Sequence, residues 1–148
     1  MSSLAVQEDT YKMTFKTEVK TRFYDGDVAA IAFHGVIFRL AHDCFEEFLN
    51  ELGIAWHEWF RDEQHAAPIR KAEAEYFKPL LPGKTYQVEL SVEKLGKSSI
   101  HLKHVFLNEQ AETCAIVRKT HVFVNRQKLK PQNLPDELRE KLAHYQSS

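Results

Sequence analysis

The sequence predicts an α+β domain in which one long helix packs on an antiparallel sheet. Three observations predict it. Apolar and polar side chains alternate from Phe15, a helical pattern follows from Ile37 to Leu52, and four more strand-like stretches come after it. Short turns join those later stretches, which favours antiparallel pairing. The 148 residues fit one domain, 1–148, with its core at about 14–126.

The first strand is predicted from Phe15 to Phe23, and it ends at the polar run Asp25-Gly26-Asp27. The small apolar stretch from Val28 to Phe33 has no clear period and is interpreted as a loop. From Ile37 to Leu52 apolar side chains recur every three or four residues, as on one face of a helix. Gly53 then offers a left-handed stop.

Four strands are predicted after this helix, with turns at Pro82-Gly83, Gly96-Lys97 and residues 108–112. The residues predicted to face inward on the first three are Ala72, Ala74 and Tyr76, then Val88, Leu90 and Val92, then Ile100, Leu102, His104 and Phe106. The fourth strand spans about 113–125. Pro135 and the acids after it predict a last helix over about 135–145. Such a sheet leaves an edge strand to cover, which predicts a homo-oligomer, a dimer or a tetramer.

Composition excludes several classes of protein. The net charge of −1 is far from the basic balance of nucleic-acid-binding domains, so no nucleic acid partner is expected. Cys44 and Cys114 are too few for a disulfide scaffold and indicate buried thiols. No apolar run approaches the ~20 residues of a membrane span, and residues 1–10 lack a signal-peptide pattern. A cytoplasmic protein is therefore expected.

The common catalytic motifs are absent from the sequence. There is no phosphate-binding glycine loop, no Gly-x-Ser-x-Gly and no His-Glu-x-x-His. His101 and His104 lie three apart on a predicted strand, so they face opposite sides and cannot bind one metal ion. No metal site is predicted.

The junction between the first strand and the long helix is the candidate for chemistry. Asp25 and Asp27 fit ordinary turn formers on spacing alone. Asp27, however, precedes the apolar run from Val28 to Ile31, and partial desolvation makes a carboxylate a stronger base or nucleophile. The adjacent helix N-terminus offers free N–H groups that suit an oxyanion.

A family resemblance rests on these residues. The run from Tyr24 to His34, with its Asp25-x-Asp27 pair, and the Phe45-Glu46-x-Phe48-Leu49 helix resemble the hotdog-fold acyl-CoA thioesterases of the 4-hydroxybenzoyl-CoA thioesterase family. Downstream, the stretch from Pro68 to Gly83 resembles the second strand and turn of that family. The resemblance covers most of the chain and extends to the 1,4-dihydroxy-2-naphthoyl-CoA hydrolase branch. It implies a curled antiparallel sheet of about five strands around one central helix.

The resemblance also implies residue roles. Asp27 matches the catalytic aspartate, which acts as nucleophile or as general base, and His34 matches a position whose backbone N–H polarises the thioester carbonyl. Asp25 matches an acid with a structural role. Lys97 and Ser98 resemble the positions that bind the pantetheine and nucleotide end of coenzyme A. Coenzyme A is then part of the substrate, and no separate cofactor is expected.

Other functions stay open at this point. His34 and Asp27 also imitate the His and carboxylate of acyl-thioester hydratases and dehydratases. Ala30, where the family has Gly, and Gly35 after His34 suit a non-catalytic acyl-CoA-binding module. Trp56, Trp59 and Phe60 fit either an acyl pocket or ordinary core. The basic excess of residues 94–130, eight Lys and Arg against two Glu, suits phosphates or a solvated strand face.

Overall fold

The computed structural model describes residues 13–26, 34–60 and 62–147. Its strands are β1 (Phe15–Lys20), β2 (His65–Ala66), β3 (Ile69–Tyr76), β4 (Thr85–Leu95), β5 (Ser99–Leu107), β6 (Thr113–Val122) and β7 (Val124–Asn125). Its α-helices are α1 (Val36–Glu51), α2 (Trp56–Phe60) and α3 (Asp136–Ala143), and a short 3-10 helix covers Phe23–Asp25. The predicted order of strand, long helix and four main strands is confirmed.

One antiparallel sheet of five strands, in the order β1-β4-β5-β6-β3, forms the body of the fold. α1 packs on its inner face against β1, β4 and β6. The apolar stripe of α1 is buried there: Ile37, Leu40, Ala41, Cys44, Phe45, Phe48 and Leu49. The helix ends one residue earlier than predicted, and Gly53 follows with φ of 75°. The predicted α+β fold with a helix inside a curled sheet is therefore correct.

The alternation predicted for β4 and β5 is confirmed. Every predicted inward residue of these two strands is at most 1% exposed. His104 belongs to this buried row, whereas His101 lies on the opposite face, as its spacing predicted. Both cysteines are buried free thiols.

The first strand is shorter than predicted. β1 stops at Lys20, which pairs with Thr85, the first residue of β4, so no strand partner remains for Phe23. Thr21 closes the pairing instead, because its hydroxyl donates to the Leu81 carbonyl at 2.5 Å. Phe23 then enters the 3-10 helix and is 88% exposed rather than inward-facing.

β3 lies at one edge of the sheet, paired with β6. Its residues Ala72, Ala74 and Tyr76 share the helix-facing side, as predicted, because their partners on β6 are buried. They are nevertheless exposed or half-buried, and Tyr76 is 43% exposed. α1 crosses β1, β4 and β6, so the inner face of the edge strand stays open.

The C-terminal segment packs against the core beside α1 and β4. Leu134, Leu138, Leu142 and Tyr145 are buried. The Tyr145 ring meets Phe48 of α1 edge-on, with 4.9 Å between centroids, and the Tyr145 carbonyl accepts the Val92 N–H of β4. Helix α3 matches its prediction, with Pro135 at its N-cap. Within the described residues, every helix is too short or too polar to traverse a lipid bilayer.

Candidate active site

Asp25 is tied to two elements at the junction before α1. Its carboxylate accepts the Arg22 N–H at 2.7 Å, which caps the 3-10 helix, and lies 3.0 Å from the Arg39 guanidinium of α1. Asp25 is only 6% exposed. These contacts give Asp25 a structural part in the junction, in keeping with the role that the resemblance implies.

Gly26, the next residue, packs closely against the turn at Pro82-Gly83. A Cβ at Gly26 would lie 2.7 Å from Cγ of Pro82, so only glycine allows this approach. Asp27 follows immediately, but it lies outside the described residues together with Val28 to Phe33, including Ala30. The catalytic assignment of Asp27 and the loop interpretation of residues 28–33 therefore stay predictions.

His34 and Gly35 form the head of α1. Gly35 is the N-cap, and its lack of a side chain leaves the first N–H groups of the helix without a side-chain cap. The His34 side chain is exposed, and its carbonyl accepts a hydrogen bond from the Tyr76 hydroxyl at the end of β3. We call this side of the sheet, marked by Lys20, Tyr76 and Thr85, the head end.

Lys97 and Ser98 lie at the opposite end of the sheet, in the tight turn between β4 and β5, which we call the hairpin end. Phe106 is the residue of β5 that aligns, through Ala115, with Tyr76 at the head end. The seven residue steps from Ser99 to Phe106 span roughly 23 Å. Within one chain, therefore, the structure does not bring Lys97 and Ser98 together with His34.

Cationic side chains that the sequence analysis did not single out lie at the head end. A surface pocket of about 410 Å³ is lined there by residues that include Lys78, Lys84, Tyr86 and Cys114. A neighbouring depression of about 290 Å³ contains Lys20, Arg22 and Lys84. No local pattern in the sequence places these residues together, because the register of β1 and β4 brings the end of one strand beside the start of the other.

Lys119 lies where the sequence analysis does not place it. Its charge groups it with the basic residues of 94–130, but it lies on the inner face of β6 and is 3% exposed. Burial lowers the pKa of its ammonium to about 8. Arg118, on the outer face, is paired with Glu93 at 3.0 Å and with Glu75 at 3.7 Å. These two residues therefore offer no open cationic surface for phosphates.

Two histidines share the buried face with Lys119. The His121 ring stacks on Phe45 at 5.0 Å between centroids, and its Nδ1 lies 2.8 Å from the Ala67 carbonyl. Burial lowers the pKa of His121 to about 4 and that of His104 to about 3, so both rings are neutral at pH 7. Trp59 packs edge-on against Phe45 at the border of the core, where it is partly buried and also lines a surface pocket with Asp62 and His65. The side chains of Trp56 and Phe60 lie outside the described residues.

Comparison with known proteins identifies the family. The Thioesterase-like superfamily matches residues 11–142. A 1,4-dihydroxy-2-naphthoyl-CoA hydrolase of Prochlorococcus marinus is 33% identical over 111 residues, covering 70% of this chain and 73% of that protein. Another protein of that name, from Thermosynechococcus vestitus, is 26% identical over 116 residues, with 78% and 80% covered.

The fold agrees with the sequence match. The crystal structure of a 1,4-dihydroxy-2-naphthoyl-CoA thioesterase from Synechocystis superimposes with a TM-score of 0.82 at 19% identity, covering 88% of this chain and 96% of that one. The chain belongs to the Thioesterase-like superfamily and has its hotdog fold. It is a thioester hydrolase, which confirms the class that the resemblance predicted.

Proposed function

We propose that this thioester hydrolase cleaves an acyl-CoA or aryl-CoA, with Asp27 as the acting carboxylate and the N–H of His34 as the oxyanion donor. The anchoring of Asp25 by Arg39 carries the proposal. Arg39 lies near the start of α1, so this ion pair holds the residues just before Asp27 beside the head of the helix. Attack on a thioester carbonyl requires a carboxylate and N–H donors for the oxyanion. We assign the first part to Asp27, which follows Gly26 in the sequence, and the second to the N–H of His34.

The reaction has two routes that use the same groups. In the first, Asp27 takes a proton from water, the water oxygen attacks the thioester carbonyl, and the C–S bond breaks to release the thiolate, which takes up that proton. In the second, the Asp27 carboxylate attacks the carbonyl itself and expels the thiolate, and water then cleaves the mixed anhydride. In both routes charge develops on the carbonyl oxygen, where the N–H of His34 donates.

The relatives suggest an aromatic acyl group. The curated matches carry the name 1,4-dihydroxy-2-naphthoyl-CoA hydrolase, so this thioester is the first substrate to test. A hydratase needs its His side chain at the α- and β-carbons of the substrate, whereas the His34 side chain is exposed and the residue is held at its carbonyl by Tyr76. No hydration of crotonyl-CoA is therefore expected.

A homo-oligomer would complete the site. Edge strands of two copies that pair antiparallel about a twofold axis place the head end of one sheet beside the hairpin end of the other. Lys97 and Ser98 would then reach the coenzyme A held at the His34 end of a second copy. This assembly explains how residues that are far apart in one chain serve one substrate. The choice between dimer and tetramer, and the cytoplasmic location, stay predictions.

Thiol release from a panel of acyl-CoA and aryl-CoA thioesters tests the proposal. Asp27→Asn is expected to lower kcat by about 10²–10⁴-fold if Asp27 is a general base, and further if it attacks covalently. Asp43→Asn, which removes an exposed acid of α1, is the matched control and should keep wild-type turnover. A folded Asp27→Asn protein with wild-type thiol release would contradict the mechanism.

A first turnover in ¹⁸O-labelled water separates the two routes. Label found on Asp27 identifies the mixed anhydride, because water has then cleaved it at the aspartyl carbon. Label found only in the acid product shows that water attacked the acyl carbon, and rapid-quench detection of an acylated Asp27 then separates direct attack from an anhydride opened at that carbon.

A further inference from the structure

An open strip runs along the inner face of β3, between α1 and the sheet edge. It consists of Ala72, Ala74 and Tyr76, and we call it the β3 strip. Its two alanines leave room that larger side chains would fill. Their partners on β6, Lys119 and Val117, are buried, so the strip borders the core directly.

One end of the β3 strip lies at the head of α1. The Tyr76 hydroxyl donates to the carbonyl of His34, the residue that our proposed function places at the thioester carbonyl. The other end lies at Ala72, whose partner on β6 is Lys119. The four residue steps from Tyr76 to Ala72 span roughly 13 Å, a length suited to a medium-chain acyl group.

Lys119 places a positive charge, without a counter-ion among the described residues, at the Ala72 end of the β3 strip. Its side chain is 3% exposed, and its Nζ has neither an ion pair nor a hydrogen bond within the part of the chain that the structure describes. The Nζ atom keeps some solvent access, since it is not among the fully buried unpartnered atoms of the described residues. An ammonium largely removed from water without a counter-ion still costs free energy, which an incoming anion would offset.

The neighbours of Lys119 do not supply that anion. Burial raises the pKa of the Cys44 thiol to about 12, so the thiol is neutral, and His104 and His121 are neutral rings. Asp43 is the nearby acid on α1, but its carboxylate is half exposed and pairs with Arg39 at 3.4 Å. It lies beyond ion-pair distance of Lys119.

We propose that Lys119 is a specificity-determining residue that binds a second carboxylate, carried by the acyl group at the end remote from the thioester. This inference rests on the proposed function, because it takes the head of α1 as the reacting end. The acyl group lies along the β3 strip, its carbonyl at His34 and its distal carboxylate at Lys119. A full negative charge is what this site lacks, so a carboxylate is favoured over a neutral hydroxyl of similar size.

The test compares three straight-chain ten-carbon acyl-CoA thioesters that differ only at the distal end: 9-carboxynonanoyl, 10-hydroxydecanoyl and decanoyl. We expect the ratio of kcat/KM for the 9-carboxynonanoyl over the decanoyl compound to fall roughly 10–100-fold in Lys119→Met, with turnover of the decanoyl compound kept. The 10-hydroxydecanoyl compound should change less. Lys103→Met, on the outer face of β5, is the matched control and should leave the ratio unchanged.

A second measurement needs no variant. In the wild-type protein the same ratio should decrease as the pH rises from 7 to 9, because Lys119 loses its proton in this range. An unchanged ratio in folded Lys119→Met, or a flat ratio with pH, overturns the inference. A Lys119→Met protein that changes its oligomeric state while keeping the ratio also overturns it and assigns the counter-ion to a second copy. If the wild-type protein releases thiol from none of the thioesters tested, the proposed function itself is wrong.

Discussion

The Asp25 carboxylate lies 3.0 Å from the Arg39 guanidinium, and this ion pair joins the end of the first strand to the first turns of α1. One partner is almost completely buried and the other is half exposed. The carboxylate also accepts a backbone N–H from Arg22. The pair therefore fixes both the path of the chain before Asp27 and the position of the helix head that follows His34.

Arg39→Met should destabilise the protein by about 1–2 kcal/mol, since it leaves a buried carboxylate with only its backbone partner. Turnover should fall as well, because the proposed mechanism relies on this junction directly before Asp27 in the sequence. Urea unfolding and thiol release measure the two effects. Asp43→Asn removes the other, exposed partner of Arg39 and should cost less than about 0.5 kcal/mol. Equal losses of unfolding free energy in the two variants would show that the contact between Arg39 and Asp25 adds no more stability than the exposed pair with Asp43.

Gly26→Ala should cost about 1–3 kcal/mol and reduce turnover, because the added methyl collides with the ring of Pro82. Pro82→Ala removes the ring atom that is struck. The double variant Gly26→Ala/Pro82→Ala should recover part of the loss, and a double-mutant cycle measures this coupling by thermal unfolding. Strict additivity of the two substitutions would argue against the contact.

Tyr76→Phe should lower kcat/KM by about threefold to tenfold, because the His34 carbonyl loses its hydroxyl donor at the head of α1. Stability should change little, since the Tyr76 ring is already 43% exposed. Tyr24→Phe, at an 80% exposed ring, is the control. Steady-state thiol release measures kcat/KM for both variants. Equal values for Tyr76→Phe and Tyr24→Phe would show that the Tyr76 hydroxyl does not affect the reaction.

Stability should fall on acidification from pH 7 to pH 5, by about 2–4 kcal/mol from His104 and His121 together. Both folded-state pKa values are depressed, to about 3 and about 4, against about 6.5 in the unfolded chain, so only the unfolded state binds protons in this range. Chemical denaturation at a series of pH values measures the slope.

His104→Leu should reduce that slope by about half while preserving stability at pH 7, because it replaces a buried ring whose nitrogens have no hydrogen-bond partner among the described residues. His144→Gln, at an exposed position, should leave the slope unchanged. A slope that His104→Leu does not alter would assign the acid sensitivity to other groups.

Local periodicity carried most of the fold prediction. The apolar stripe of α1 and the buried rows of β4 and β5 repeat within the sequence itself, so they could be found from it. The end of β1 could not, because it depends on where β4 begins. The exposure of Tyr76 likewise depends on how far α1 extends across the sheet, which no local pattern encodes.

The site was predicted less completely than the fold. Asp25 and Gly26 stood out as turn residues, but their contacts with Arg39 and Pro82 come from distant parts of the chain. The separation of Lys97 from His34 requires the strand register. The burial of Lys119 could have been predicted, since it alternates with the buried residues Val117 and His121 along β6. Its charge suggested a surface position instead.

The turn that carries Lys97 is held by the C-terminal segment. The Lys97 carbonyl accepts the Leu134 N–H at 2.8 Å, and the Arg139 guanidinium donates to the Gly96 carbonyl at 2.8 Å. Arg139→Met removes the guanidinium contact to this turn but keeps the buried Leu134, Leu138 and Leu142 in the core, so the hairpin tip should loosen while the β4 and β5 strands stay paired. If Lys97 meets the nucleotide end of coenzyme A, as we propose, this variant raises KM and leaves kcat unchanged, and the C-terminal segment then tunes affinity.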